Sequence, residues 1–245
     1  MQKNSLAIKV VALVSVIVVG CASGGVGPRI GADIPMSGVG ASGDVTSTSS
    51  QIGFIGGLTF EGLLNTTWGF RADPQVRTIG GTAGFSGATA TGDGIVSATG
   101  EMTTNVTFVD LPVMVTFSPI DSTATIQPYL SFGAMLTGAA TQTVRASGTQ
   151  TYTEGGQSAS APFSSQSTGS GLGGPFASVI FAGGIRIPLS ALWEWRIEAR
   201  LQQLITDADV TSYTLYTNSY REVASVTMSA PTTTLGITLG LMLRL

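Results

Sequence analysis

Residues 193–203 read Trp-Glu-Trp-Arg-Ile-Glu-Ala-Arg-Leu-Gln-Gln. Successive side chains of a β-strand point to opposite faces. As a strand, this stretch puts Trp193, Trp195, Ile197, Ala199 and Leu201 on one side and Glu194, Arg196, Glu198 and Arg200 on the other. As a helix it would spread charge around the whole circumference and leave no apolar stripe. The last residues follow the same rule: Leu235, Ile237, Leu239, Leu241, Leu243 and Leu245 alternate with Gly236, Thr238, Gly240, Met242 and Arg244. Period-two alternation of this kind is the mark of strands.

Eight such segments occur, at residues 28–34, 51–64, 68–80, 104–117, 125–138, 175–187, 193–203 and 232–245. Their connections alternate in length. Residues 35–50, 81–103, 139–174 and 204–231 are long, whereas 65–67, 118–124 and 188–192 are short. Short turns at one end and long loops at the other are the pattern of an outer-membrane barrel, with the short turns in the periplasm. The expected fold is therefore all-β: an eight-stranded antiparallel up-and-down transmembrane β-barrel with long extracellular hairpin loops, preceded by a signal-peptide helix. Asp93-Gly94 and Asn218-Ser219 read as hairpin tips, so strands are expected to run on beyond the membrane. A ten-stranded barrel, with a further hairpin inside 139–174, is the alternative.

The charges decide which face meets lipid. Arg29, Arg71, Arg77, Arg186, Arg196, Arg200 and Arg244 lie on the polar faces of the eight segments, together with Asp33, Glu61, Asp73, Asp110, Glu194 and Glu198. An Arg at the midplane of a barrel's lipid face costs ~2–4 kcal/mol. Seven of them cannot be carried by a fold of typical stability, about 5–15 kcal/mol. The charges are expected inside, as a nearly neutral network, and the apolar face in lipid. Eight strands leave an interior just wide enough for side chains, so paired guanidinium and carboxylate groups are expected to plug it. Trp68, Trp193 and Trp195 each follow a short turn, where interfacial aromatic anchors belong.

Composition narrows the rest. Of 245 residues only 10% are charged, 33 are Gly, one is Cys and none is His. A soluble domain carries roughly 25% charged residues. Past the leader no apolar run approaches the ~20 residues of a spanning helix. The absence of His removes Ser-His-Asp catalysis and His-ligated metals. No residue is assigned a catalytic, cofactor-binding or metal-ligating role, and no cofactor is expected. Lys3 and Lys9 precede the apolar run 10–19, which reads as an export signal over 1–22, with the barrel domain at 23–245. Cleavage after Ala22 and lipidation of Cys21, in a degenerate lipobox Val18-Val19-Gly20-Cys21, both remain open.

Residues 107–117 (TFVDLPVMVTF) and 127–138 (QPYLSFGAMLTG) resemble the central hairpin of PorT-like outer-membrane β-barrels. Asp110-Leu111-Pro112 carries the likeness in the first strand. Pro128, Tyr129, Leu130, Gly133 and Gly138 carry it in the second. Ala182-Gly183-Gly184-Ile185 and the stretch 195–201 are similar to the family's last hairpins. The resemblance implies a small non-enzymatic barrel of the OmpA and OmpX architecture and no catalytic residues. The long 139–174 segment and the non-aromatic last residue, Leu245, depart from such barrels.

Two Gly-x-Gly-x-x-Gly matches, at Gly38-Gly40-Gly43 and Gly169-Gly171-Gly174, lack the following helix that a dinucleotide site requires. Asp207 and Asp209 read as solvated loop acids rather than a cation site. The loops are acidic, with Asp44, Asp93, Glu101, Glu154, Asp207, Asp209 and Glu222 against Arg145 and Arg221, which disfavours nucleic acid. The expected partners are outer-membrane lipid and, during insertion, the barrel-assembly machinery; an extracellular partner is not identified. Two functions stand open: a structural or surface-interaction role through the loops, and a narrow channel for small solutes or ions.

Overall fold

A computed structural model of the chain describes residues 23–37, 40–119, 124–170, 176–206, 209–216 and 222–245. The expected signal helix with Cys21, the tip Asn218-Ser219, Asp207 and Arg221 lie outside the described residues, as do Gly38, Gly171 and Gly174 of the glycine motifs. The chain forms β1 (Ser23–Pro35), β2 (Gly40–Gly43), β3 (Val45–Gln51), β4 (Gly53–Leu63), β5 (Trp68–Ala72), β6 (Gln75–Ala90) and β7 (Ile95–Phe117). There follow β8 (Gln127–Glu154), β9 (Gln157–Ser170), β10 (Phe176–Pro188), β11 (Trp193–Leu204), β12 (Asp209–Tyr216), β13 (Glu222–Ser229) and β14 (Thr233–Arg244).

Eight antiparallel staves close on themselves: β1, β4, β5 with β6, β7, β8, β10, β11 and β14, which returns to β1. Closure leaves no stave with an open edge, a requirement in hydrocarbon, where no water can pair with a free N–H or C=O. β5 and β6 are one stave interrupted at Asp73-Pro74, where proline cannot donate. The register runs through the break, since Ala72 faces Val113 and Gln75 faces Asp110.

The short turns are tied by side chains. Asn65 Oδ1 accepts from the backbone N–H of Thr67 and of Trp68, each at 2.8 Å. Ser190 Oγ accepts from the N–H of Trp193 at 3.1 Å. Each turn thus places a tryptophan at the first residue of the next strand. Trp68 also packs on Phe117, ring centroids 4.8 Å apart. The outer wall is apolar: Ile30, Phe54, Leu58, Leu130, Phe132, Leu136, Phe181, Ile197, Leu201 and Ile237 are all exposed.

Four strands extend beyond their expected bounds. β1 begins at Ser23 rather than Pro28. β6, β7 and β8 run 10, 9 and 16 residues past the boundaries drawn at Gly80, Thr104 and Gly138. The ten-stranded alternative is overturned. The hairpin inside 139–174 exists, turning on Gly155 (φ +55) and Gly156 (φ +81), but β9 pairs only with residues 141–154 of β8. Lower down, β8 pairs directly with β10 from Gln127 to Thr137, so β9 stands outside the ring.

The long connections are therefore mostly strand. β3, β6, β7, β8 and β9 rise as a sheet from one side of the barrel. A three-stranded strap, β12-β13-β2, packs against it. Between them lies a second apolar core of Ala83, Phe85, Met102, Val144, Ala224, Val226 and Met228, joined by Phe163 and Leu215. Asp44 stitches the layers: its backbone N–H donates to Ser225 O at 2.9 Å and its Oδ2 accepts from the Ser225 N–H at 3.0 Å.

A closed hydrogen-bonded cylinder resists detergent. Unheated protein in dodecyl sulfate is expected to run at a different apparent mass from boiled protein on a gel. Identical mobility would contradict closure.

Candidate functional site

Arg29, Arg71, Arg77, Arg186, Arg196, Arg200 and Arg244 point into the barrel with Asp33, Glu61, Asp73, Asp110, Glu194 and Glu198, and they stack along its axis in three groups. Cross-strand glycines stand opposite several of them. Gly240 sits opposite Arg29 on β1 and Arg196 on β11, and Gly236 opposite Asp33 and Arg200. A Cβ at Gly240 would lie 3.7 Å from Arg29 Cβ and 3.9 Å from Arg196 Cβ.

The middle group surrounds Asp73 and Glu198. Arg71 forks onto Asp73, Nε to Oδ1 and Nη2 to Oδ2, both at 2.8 Å. Arg29 and Arg200 donate to the same Oδ2. Glu198 accepts from Arg71, from Arg200 Nη2 at 3.0 Å and from the Tyr129 hydroxyl at 3.0 Å. Toward the long upper strands, Arg77 bridges two aspartates: Nη1 to Asp33 at 2.9 Å and Nε to Asp110 at 2.7 Å. Gln75 Nε2 also donates to Asp110, at 3.2 Å.

Nearest the short turns, Glu61 accepts from Arg186 at 2.6 Å and from Arg196. Glu194 accepts from Arg196 at 2.6 Å and from Arg244 at 2.6 Å. All of these side chains are buried except that of Arg244, which is 33% exposed and sits at the mouth. Sharing matters here, because a buried charge left unpaired is far more costly than a pair. Every carboxylate of the belt meets at least one guanidinium.

Tyr129 is absent from the interior set expected from the sequence, yet it is central. Its ring stands 5.0 Å from the Arg186 guanidinium and 6.0 Å from those of Arg71 and Arg196. Gly184 opposite opens the space: a Cβ there would meet the Tyr129 ring at 2.7 Å. The available signal is its alternation with Gln127 and Ser131, both inward and buried. Also unassigned is the layer above the belt, where Ile79, Val106 and Phe108 pack with Phe176 and Ala230. Trp68, Trp193 and Trp195 lie outside the belt, partly exposed on the outer wall.

A cavity of about 460 Å³ opens below the belt, bounded by the 64–67 turn, Ser118, Gln127 and the lowest charged group. Above the belt, two voids beside Ile79 and Phe108 measure about 10 and 20 Å³. Asp209 opens β12 and pairs with Ser229 in the strap, not with a belt strand. Among the described residues no group of three or more His, Cys, Asp or Glu could hold a metal ion.

The chain matches no protein-family model and no curated protein. Its structure is similar to that of the outer membrane protein OprG from Pseudomonas aeruginosa, at 10% identity over 92% of this chain and 96% of that one, with a TM-score of 0.52. It also aligns with a major outer membrane protein from Thermus thermophilus (12% identity, 91% and 100% coverage, TM-score 0.41). Neisserial surface protein A aligns at 10% identity, 90% and 96% coverage and a TM-score of 0.39. With its apolar wall and buried charges, the fold is that of a bacterial outer-membrane β-barrel.

Removing Asp73 leaves Arg29, Arg71 and Arg200 facing one carboxylate. Asp73→Ala is expected to lower stability by about 3–5 kcal/mol, and Tyr129→Phe by about 1.5–3 kcal/mol. Asp93→Ala at the exposed β6–β7 tip should change it by less than about 0.5 kcal/mol. Urea unfolding in detergent micelles measures all three.

Proposed function

We propose that this protein is a non-enzymatic outer-membrane barrel whose work is done outside the cell, with the barrel as anchor and a sealed interior. The observation that carries this reading is the second apolar core above the membrane, formed by β6, β7, β8 and the strap. Flexible loops need no such core. A sheet and strap that bury Phe85, Met102, Val226 and Met228 between them hold a fixed surface in place, which is what recognition of a partner requires. The likeness of residues 107–117 and 127–138 to PorT-like barrels belongs with this reading.

Sealing is supported at three levels: the ion-paired belt, the apolar layer of Ile79, Val106 and Phe108, and the strap above them. A hydrated solute path needs a polar, continuous lumen, and the apolar layer interrupts it. The lack of His in the sequence supports a non-enzymatic role. Lipid surrounds the wall, and the barrel-assembly machinery is the partner during insertion.

Two measurements test this. Purified protein in planar bilayers is expected to give no steady conductance steps; regular steps would favour the narrow channel. Replacing residues 143–168 with an Asn-Gly turn removes the top of β8 and most of β9 while leaving the staves. Cells carrying that variant are expected to lose cell–cell and cell–surface adhesion relative to wild type, with heat-modifiable barrel still present. Unchanged adhesion would contradict a surface role.

A further inference from the structure

The lowest charged group does not balance. Three guanidinium groups, Arg186, Arg196 and Arg244, face two carboxylates, Glu61 and Glu194. All four carboxylate oxygens are taken: Glu61 Oε1 by Arg186, Glu61 Oε2 by Arg196, Glu194 Oε1 by Arg196 and Glu194 Oε2 by Arg244. Two further donors, Arg186 Nε and Arg196 Nη1, are buried without an acceptor and closed off from solvent, while Arg244 is engaged through Nε and Nη2 and stays 33% exposed at the mouth.

These same arginines line the cavity of about 460 Å³ at the periplasmic mouth. That volume lies in the range of small-molecule sites. The side-chain acids are engaged by guanidinium groups, so the cup carries a net positive side-chain charge, with Arg244 at its mouth and Ser118 on its wall. Guanidinium groups match the planar, forked geometry of carboxylate and phosphate oxygens. A low-dielectric barrel wall strengthens that attraction.

We propose that this cup is a binding site for a small solute bearing one oxyanion, a carboxylate or a phosphate, which enters from the periplasmic side. The site stands apart from the extracellular role, since it lies at the opposite end of the barrel and below the belt. Its nearest contacts are Arg186 and Arg244, with Ser118 on the wall.

The test uses the full mature chain refolded in uncharged detergent. Inorganic phosphate, acetate and glycerol 3-phosphate are each titrated while amide shifts of cup residues are followed by NMR. Saturable shifts in the millimolar range are expected for at least one of them. Arg244→Gln, at the exposed mouth, should weaken binding about tenfold through loss of a charge-assisted bond. Ser118→Glu places a carboxylate in the cup without touching an ion pair and should abolish binding. Arg145→Gln, on the extracellular part of β8, should leave it unchanged. Short-chain phosphatidylglycerol is the second arm: tighter binding than glycerol 3-phosphate assigns the site to a lipid headgroup, and equal or weaker binding to a free solute. Absence of saturable shifts at the cup, or equal shifts in wild type, Arg244→Gln and Ser118→Glu, overturns the proposal.

Discussion

A guanidinium or carboxylate group cannot rest in hydrocarbon without a partner, and neither can a backbone N–H. These two costs shape the molecule. The backbone term demands a closed cylinder, met by the return of β14 to β1. The side-chain term turns Arg29, Arg71, Arg77, Arg186, Arg196 and Arg200 inward, where each meets a carboxylate. The alternation of β11 is the meeting point of both. Its odd residues touch lipid, its even residues build the belt, and a register slip of one residue would exchange them.

Inside, space is allotted by small residues. Gly184 lies where the Tyr129 ring needs room, so a strand glycine that weakens a sheet in isolation lets the ring stand among the arginines. Buried ion pairs contribute little net stability compared with apolar packing. Their stronger effect is on register: Arg71 can fork onto Asp73 while also reaching Glu198 only if β5 and β11 are aligned as they are.

The staves are legible in the sequence because their two faces differ so sharply in chemistry. All eight drawn segments fall on barrel strands, and the odd residues of 193–201 separate from the even ones by polarity alone. The upper strands are much less legible. In residues 81–103 and 139–174 both faces are built mainly from Gly, Ser, Thr and Ala, so period two leaves little contrast. Phe85, Met102 and Phe163 are among the few signs of a buried side. The strap is harder still, because its partner surface is discontinuous in sequence: Val226 and Met228 meet Phe85 and Met102 from a distant part of the chain. Tyr129 is hidden by the ordinary reading of aromatics in barrels, which places them at the interface rather than among arginines.

The orientation of β11 is the point on which everything else rests. Single-cysteine variants at Ile197, Ala199, Leu201, Gln202, Thr234 and Thr238, spin-labelled in liposomes, report collision with oxygen dissolved in the bilayer. High oxygen accessibility is expected at 197, 199 and 201 and low accessibility at 202, 234 and 238. The reverse pattern, or equal accessibility at all six, would contradict that orientation.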